Sequence, residues 1–168
     1  MKRPSTLFIA HAAMIGAIYV VLTLVFAPLS FGEVQIRFSE ALTILPYFTP
    51  AAIPGLFVGC IIANLLGGAI PIDILFGSIA TLIGAVFTYK LRNSSRFLAP
   101  LPPIIANTVI VPLVLYYGYG INLPIPLMML TVGIGEVISC GVLGMIVLTA
   151  LSKYVHQIFG RQQTSVSK

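Results

Sequence analysis

The sequence predicts an all-α integral membrane protein, a bundle of six transmembrane helices forming a single domain over residues 1–168. Composition, continuity and the placement of charge lead there. Of the 168 residues 58% are hydrophobic and 8% charged, too little polar surface to cover an ordinary globular core, so lipid must supply the surroundings. Apolar residues run almost unbroken from Leu7 to Tyr154, and the basic residues sit at the joints between runs. A β-barrel would alternate apolar and polar residues, whereas Ile104 to Leu115 is apolar on every face and reads as helix.

A hydrocarbon core about 30 Å thick takes roughly 20 apolar residues per helix, which places spans at about 7–28, 37–49, 51–67, 71–90, 97–117 and 126–152. Lys2 and Arg3 ahead of the first run resemble a signal peptide, but the run is too long for one, and it is expected to remain as span one. The second piece, Phe38 to Phe48, is short and closes at Thr49-Pro50, so it is expected to be steep or partly broken. Gly67, Gly68 and Pro71 punctuate the joint between spans three and four, and Pro124 and Pro126 open span six.

Cytoplasmic loops carry the Lys/Arg excess. With six spans, Lys2 and Arg3, then Lys90, Arg92 and Arg96, then Lys153, Arg161 and Lys168 all fall on one side, and the other side carries Arg37. A five-span chain would split the clusters between the two faces. The expectation is a multi-pass protein of the cell membrane with both termini cytoplasmic.

None of the four acidic residues, Glu33, Glu40, Asp73 and Glu136, lies at a cytoplasmic joint. Gln35, Arg37, Glu40, Asn64 and Asp73 belong to the outer third, and Glu136, roughly 15 Å of helical rise into span six, is matched in depth by Asn107 of span five. An intramembrane carboxylate is costly unless paired or lining a wet cavity, which makes Glu136 a functional candidate. Plainer readings stand beside this one: Glu136 pairing with Arg37 or Asn107 to hold the bundle, Asn64 capping a helix before Gly67, Asp73 after Pro71 as a simple N-cap. A polar pocket opening outward and closed below by apolar residues suits capture of a small solute.

Tyr116, Tyr117 and Tyr119 fit an interfacial belt, with a tyrosine stacking on a flat ligand as the alternative. Small residues recur at four-residue spacing, Ala13 and Ala17 in span one and Gly55, Gly59, Ala63 and Gly67 in span three. Such stripes mark close helix contacts, within the chain for span three and with an outside partner for span one. Cys60 and Cys140 stand alone, without ligand spacing, and read as small apolar fillers; no metal or cofactor is implied. His11 and His156 read as interfacial. The net charge of +5 is spread along the joints and points to topology, not nucleic acid. With no GxxxxGK[ST], no HExxH and no plausible Ser/His/Asp set, the chain reads as a non-enzyme that takes its energy from ions or from another polypeptide.

The run SFGEVQIRFSEALTILP (30–46), followed by FTPAAIPGLFVGCIIANLLGG (48–68) and DILFGSIATLIGA (73–85), resembles the QueT family of queuosine-precursor transporters over essentially the whole chain, most specifically at QIRFSEAL (35–42). These are substrate-binding S components of energy-coupling factor (ECF) transporters. The resemblance implies a six-helix S-component fold with an outer site lidded by the loop after helix one. It also implies a complex with a transmembrane coupling protein, met through the Ala13/Ala17 pair, and two cytoplasmic ATPases whose ATP use topples the S component. The ligand class it implies is a 7-deazaguanine such as the aminomethyl form. A carboxylate can accept both N–H donors of the guanine edge. Glu136 with Asn107 beside it is therefore assigned to that edge, Glu40 or Asp73 to the ammonium, Gln35 and Arg37 to the lid, and a Tyr or Phe to the ring; Asn64 and Tyr116 complete the candidate site. The alternatives are an S component for another vitamin or base and a stand-alone ion-coupled carrier with Glu136 as its proton site.

Overall fold

The computed structural model describes residues 5–30 and 37–159. Among them the chain is all helical: α1 Thr6–Val25, the single turn α2 Ala27–Ser30, a 3₁₀ helix Phe38–Tyr47, α3 Ala52–Leu66, α4 Pro71–Lys90, two 3₁₀ turns, α5 Leu101–Tyr117, α6 Ile125–Glu136, a π-helical stretch Val137–Leu143, α7 Gly144–Ser152 and the short α8 Val155–Phe159. Four of these runs, Thr6–Val25, Pro71–Asn93, Arg96–Tyr117 and Ile125–Ser152, are long and apolar enough to cross a membrane, and Ala52–Leu66 is a shorter apolar helix. Large side chains such as Val25, Leu65, Ile105, Leu130 and Ile146 face outward, while Arg37, Glu40 and Glu136 are buried. That inversion of the soluble pattern is what lipid outside and costly charge inside require.

The span boundaries follow local chemistry. Ser5 caps α1 by accepting from the Phe8 N–H at 3.2 Å, and Pro71 and Pro102 occupy first-turn positions where a missing N–H costs nothing. The segment expected as span two is the 3₁₀ helix. Pro46 lies inside it and withdraws one donor, and Thr43 turns its hydroxyl back on the Glu40 carbonyl at 2.6 Å. Ten residues at about 2 Å rise give roughly 20 Å, less than a full bilayer core. Ser39, Glu40, Ala41, Thr43, Ile44, Leu45 and Pro46 are all buried, so this piece is a central strut packed against α1, α3, α4, α7 and the π-helical stretch. The expected single helix of span six contains those seven π-helical residues, which the sequence reading did not anticipate.

Helix directions follow from which residues meet. A Cβ on Gly55 would lie 2.6 Å from the Ala12 carbonyl oxygen and one on Gly59 3.0 Å from Gly16. The numbering rises together on both helices, so α1 and α3 run parallel, with backbones too close for any side chain between them. The strut therefore carries the chain back between them, and Tyr19 meeting Glu40 and Thr23 meeting Ser39 show it running antiparallel to α1. Antiparallel packing continues through Thr81 on Cys60, Gly84 on Pro103 and Gly133 on Thr108. Each traverse thus reverses the last. The apolar core gathers Ile15, Tyr19, Ile44, Phe48, Leu56 and Leu148, and a second cluster, Val111, Leu115, Met128 and Val132, fills the seam between α5 and α6.

Candidate functional site

Four separate runs of sequence meet around Glu40. The strut presents its carboxylate to α1, where the Tyr19 hydroxyl donates to Oε1, and to α5, where the Asn107 amide donates to Oε2 at 3.4 Å. Glu136, at the last turn of α6, accepts at Oε2 from the Cys140 thiol at 3.1 Å. The same sulfur lies 3.5 Å from the Glu40 carbonyl and 3.4 Å from the Thr43 hydroxyl. Ligand atoms of Glu40, Glu136 and Cys140 lie within 4.8 Å of one another. Glu40 is 1% exposed and Glu136 5%. The three are donor types that could hold a divalent cation, yet their lone pairs are met by the hydroxyl, amide and thiol hydrogens just described, with the Arg37 guanidinium in electrostatic reach. That is the environment of an organic polar group better than of a metal ion.

A second polar arm runs from this centre toward the joint of α3 with α4. Arg37, just ahead of the strut, donates from Nη2 to the Asn64 side-chain oxygen, and the Asn64 amide reaches the Cys60 sulfur at 3.6 Å. Across Gly77, whose missing side chain would touch both, stand the Asn64 amide and the Asp73 carboxylate, 3.3 and 3.2 Å from the Cβ position. Asp73 in turn accepts from the Tyr119 hydroxyl at 2.9 Å. Burial and the neighbouring carboxylate hold the Tyr119 phenol above its ordinary value, which keeps it the donor. The polar residues thus form a path from the exposed rim at Tyr119 to the buried Glu136.

Glu136, Asn107, Glu40, Arg37 and Asn64 are therefore brought into one network, with Asp73 at its rim. Asp73 is not a helix cap: Ile70 is the capping residue of α4. Nor does Asn64 cap α3 with its side chain, which is committed to Arg37 and Cys60. Tyr116 lies apart from the cluster, edge-on to Tyr117 with ring centroids 5.0 Å apart, and 39% exposed. Gln35 and Glu33 lie outside the described residues. Of the participants that escaped the sequence reading, two sit at the centre of the network. Cys140 is no apolar filler but hydrogen-bonds Glu136 four residues earlier, a spacing that was visible in the sequence. Tyr19 gave no signal, since nothing in the sequence pairs it with Glu40, 21 residues away.

Ala13 and Ala17 are exposed. They line an open apolar groove between α1 and α3 together with Ile9, Val21, Val58 and Ile62, while Ala12 and Gly16 beside them make the close contact with α3.

Apolar helices wrapped around a charged, hydrogen-bonded interior define a polytopic membrane protein of the solute-handling class. Residues 9–153 match the family described as QueT transporter, so the chain belongs to the QueT transporter family. It is 33% identical over 85 residues to the queuosine precursor transporter QueT of Lactococcus lactis subsp. cremoris (strain MG1363), a match spanning 49% of this chain and 50% of that protein. The chain thus aligns with about half the length of that relative. No solved structure matches the chain.

Proposed function

We propose that this chain is the substrate-binding S component of an ECF-type importer, taking up a queuosine precursor of the 7-deazaguanine class from outside and passing it inward with the help of a transmembrane coupling protein and two cytoplasmic ATPases. The relative's description as a queuosine precursor transporter supports the substrate class. The observation that carries the reading is the convergence of Glu40, Glu136 and Asn107 from three separate traverses onto one buried centre, joined by Arg37, Asn64 and Asp73 to the rim. A bundle needing only internal glue would not keep two carboxylates this close together in apolar surroundings, where each is costly.

In this reading Glu136 and Asn107 take the guanine edge and Glu40, beside Glu136, takes the ammonium of the aminomethyl arm. Asp73, held by Tyr119 at the rim, serves entry, and Arg37 with Gln35 borders the lid. Six crossings with both termini cytoplasmic are supported by the parallel course of α1 and α3 and by the basic residues at alternate joints. The exposed Ala13/Ala17 groove is the surface offered to the coupling protein. Calorimetry of aminomethyl-deazaguanine with the purified protein tests the site: Glu136→Gln is expected to weaken binding about tenfold or more, because the guanine-edge donors lose an ionised acceptor, and unchanged affinity would remove Glu136 from it. Uptake into liposomes by the chain alone, with no ATPase partner, would favour the ion-coupled carrier instead.

A further inference from the structure

The two central carboxylates are unequally served. Glu40 receives a hydroxyl donor on one oxygen and an amide on the other, and the Arg37 guanidinium, ahead of it on the strut, acts on it directly. Glu136 shares the Asn107 amide and the Arg37 charge with Glu40, but where Glu40 has a hydroxyl it has a thiol, a weak donor, and it faces Glu40 within 4.8 Å. Among the described residues the charged and titratable groups facing the pair are Tyr19 from α1, Arg37 at the head of the strut and Cys140 from the π-helical stretch, with Cys60 of α3 and Asp73 of α4 further along through Arg37. Two like charges this close in an apolar bundle do not both persist when a proton can neutralise one. The wall that carries Glu136 has a further unmet need: the Ser139 hydroxyl, on a residue 1% exposed, has no hydrogen-bond partner among the described residues. Such an atom is ordinarily satisfied by water or a ligand.

We infer that the Glu40–Glu136 pair carries a single negative charge in the ligand-free protein, its one proton resting on Glu136, and that a cationic 7-deazaguanine binds by replacing this proton with its own ammonium. This rests on the reading of the site given above. The exchange balances: the carboxylic acid O–H of Glu136 breaks, the proton passes to bulk water, and the carboxylate left behind accepts from the guanine edge, while the substrate's ammonium, an aliphatic amine that stays protonated through the neutral range, rests against Glu40 and offsets the second negative charge of the pair. The site thereby prefers the aminomethyl form over an uncharged relative such as the cyano form, which brings no charge to offset a second carboxylate.

The test is calorimetry on the full-length protein in two buffers of different ionisation enthalpy, with each ligand in turn. The aminomethyl ligand is expected to release about one proton, and its affinity to rise about tenfold per pH unit over the range where the pair still holds that proton, since binding then competes with protonation. The cyano ligand is expected to release none and to show a flat profile. Aminomethyl binding without proton release would overturn the inference while leaving the site in place, as would equal release by both ligands, which would show that charge is not the cause. Binding of neither ligand would instead remove the substrate reading itself. Glu136→Gln, provided its thermal melt matches wild type, is expected to abolish release and flatten the aminomethyl profile. Release persisting in that variant would move the proton to another group and sink the assignment.

Discussion

Tyr19 shows how much one buried side chain can decide. Its hydroxyl is wholly enclosed and donates to a carboxylate that has few other donors. A hydrogen bond to a charged group contributes about 1.5–3 kcal/mol, and losing it leaves the acceptor short in a place water does not reach. Tyr19→Phe keeps the ring that packs with Ile15, Ile44 and Leu56, so the fold should survive. Ligand affinity is expected to fall roughly tenfold, and calorimetry beside a thermal melt separates the two effects. Cys140→Ser is milder: a hydroxyl is the better donor to Glu136, so binding should hold or improve slightly, whereas Cys140→Ala removes the donor and should weaken it. At this scale the sequence exposed Glu136, Asn107, Glu40 and Asn64 because polar residues in apolar runs are conspicuous. It hid Tyr19, an ordinary residue of an apolar helix until the fold sets it against Glu40.

Among the elements, the strut and the α1/α3 seam do most to position the site. A ten-residue 3₁₀ helix is longer than such helices usually run; Pro46 and the inward hydroxyl of Thr43 keep it from relaxing into an α-helix, and its place between five other segments holds it. The sequence made the segment's shortness legible through Thr49-Pro50, but its 3₁₀ winding depends on neighbours that only the fold supplies. The same is true of the π-helical turn after Glu136, which no proline or glycine pair announces. The seam gives a sharper expectation. A methyl group at Gly55 would meet the Ala12 backbone at 2.6 Å, and backbone cannot swing aside, so Gly55→Ala should separate α1 from α3 and destabilise the protein by about 1–3 kcal/mol, seen as a lowered melting temperature. Ala13→Leu with Ala17→Leu fills only the exposed groove. That double variant should melt and bind ligand as wild type while failing to co-purify with the coupling protein and ATPases proposed above; full co-purification would place the partner surface elsewhere.

For the whole molecule, the question that residues and elements leave to experiment is how the bundle sits in the membrane. Parallel packing of α1 with α3 means that the chain between them returns across the bundle, although its strut is shorter than a bilayer is thick and is sheltered from lipid by its neighbours. A buried, short traverse of this kind is tolerated because its polar backbone faces protein and not hydrocarbon. The first residues of α1 and the joint between α4 and α5 then share a face, the one rich in Lys and Arg, and the joint between α5 and α6 lies opposite with Tyr119 and Asp73. Cysteines placed singly at Ser5, Ser94 and Asn122 would report this directly, the native Cys60 and Cys140 being buried and slow to react. In intact cells a membrane-impermeant thiol reagent is expected to label Asn122→Cys and to spare Ser5→Cys and Ser94→Cys until the membrane is opened. Labelling of Ser5→Cys together with Asn122→Cys would mean that the strut does not count as a crossing and that five spans carry the chain. Labelling of Ser5→Cys together with Ser94→Cys, with Asn122→Cys spared, would turn the molecule over and set Tyr119 facing the cytoplasm, an arrangement suited to export and not to capture.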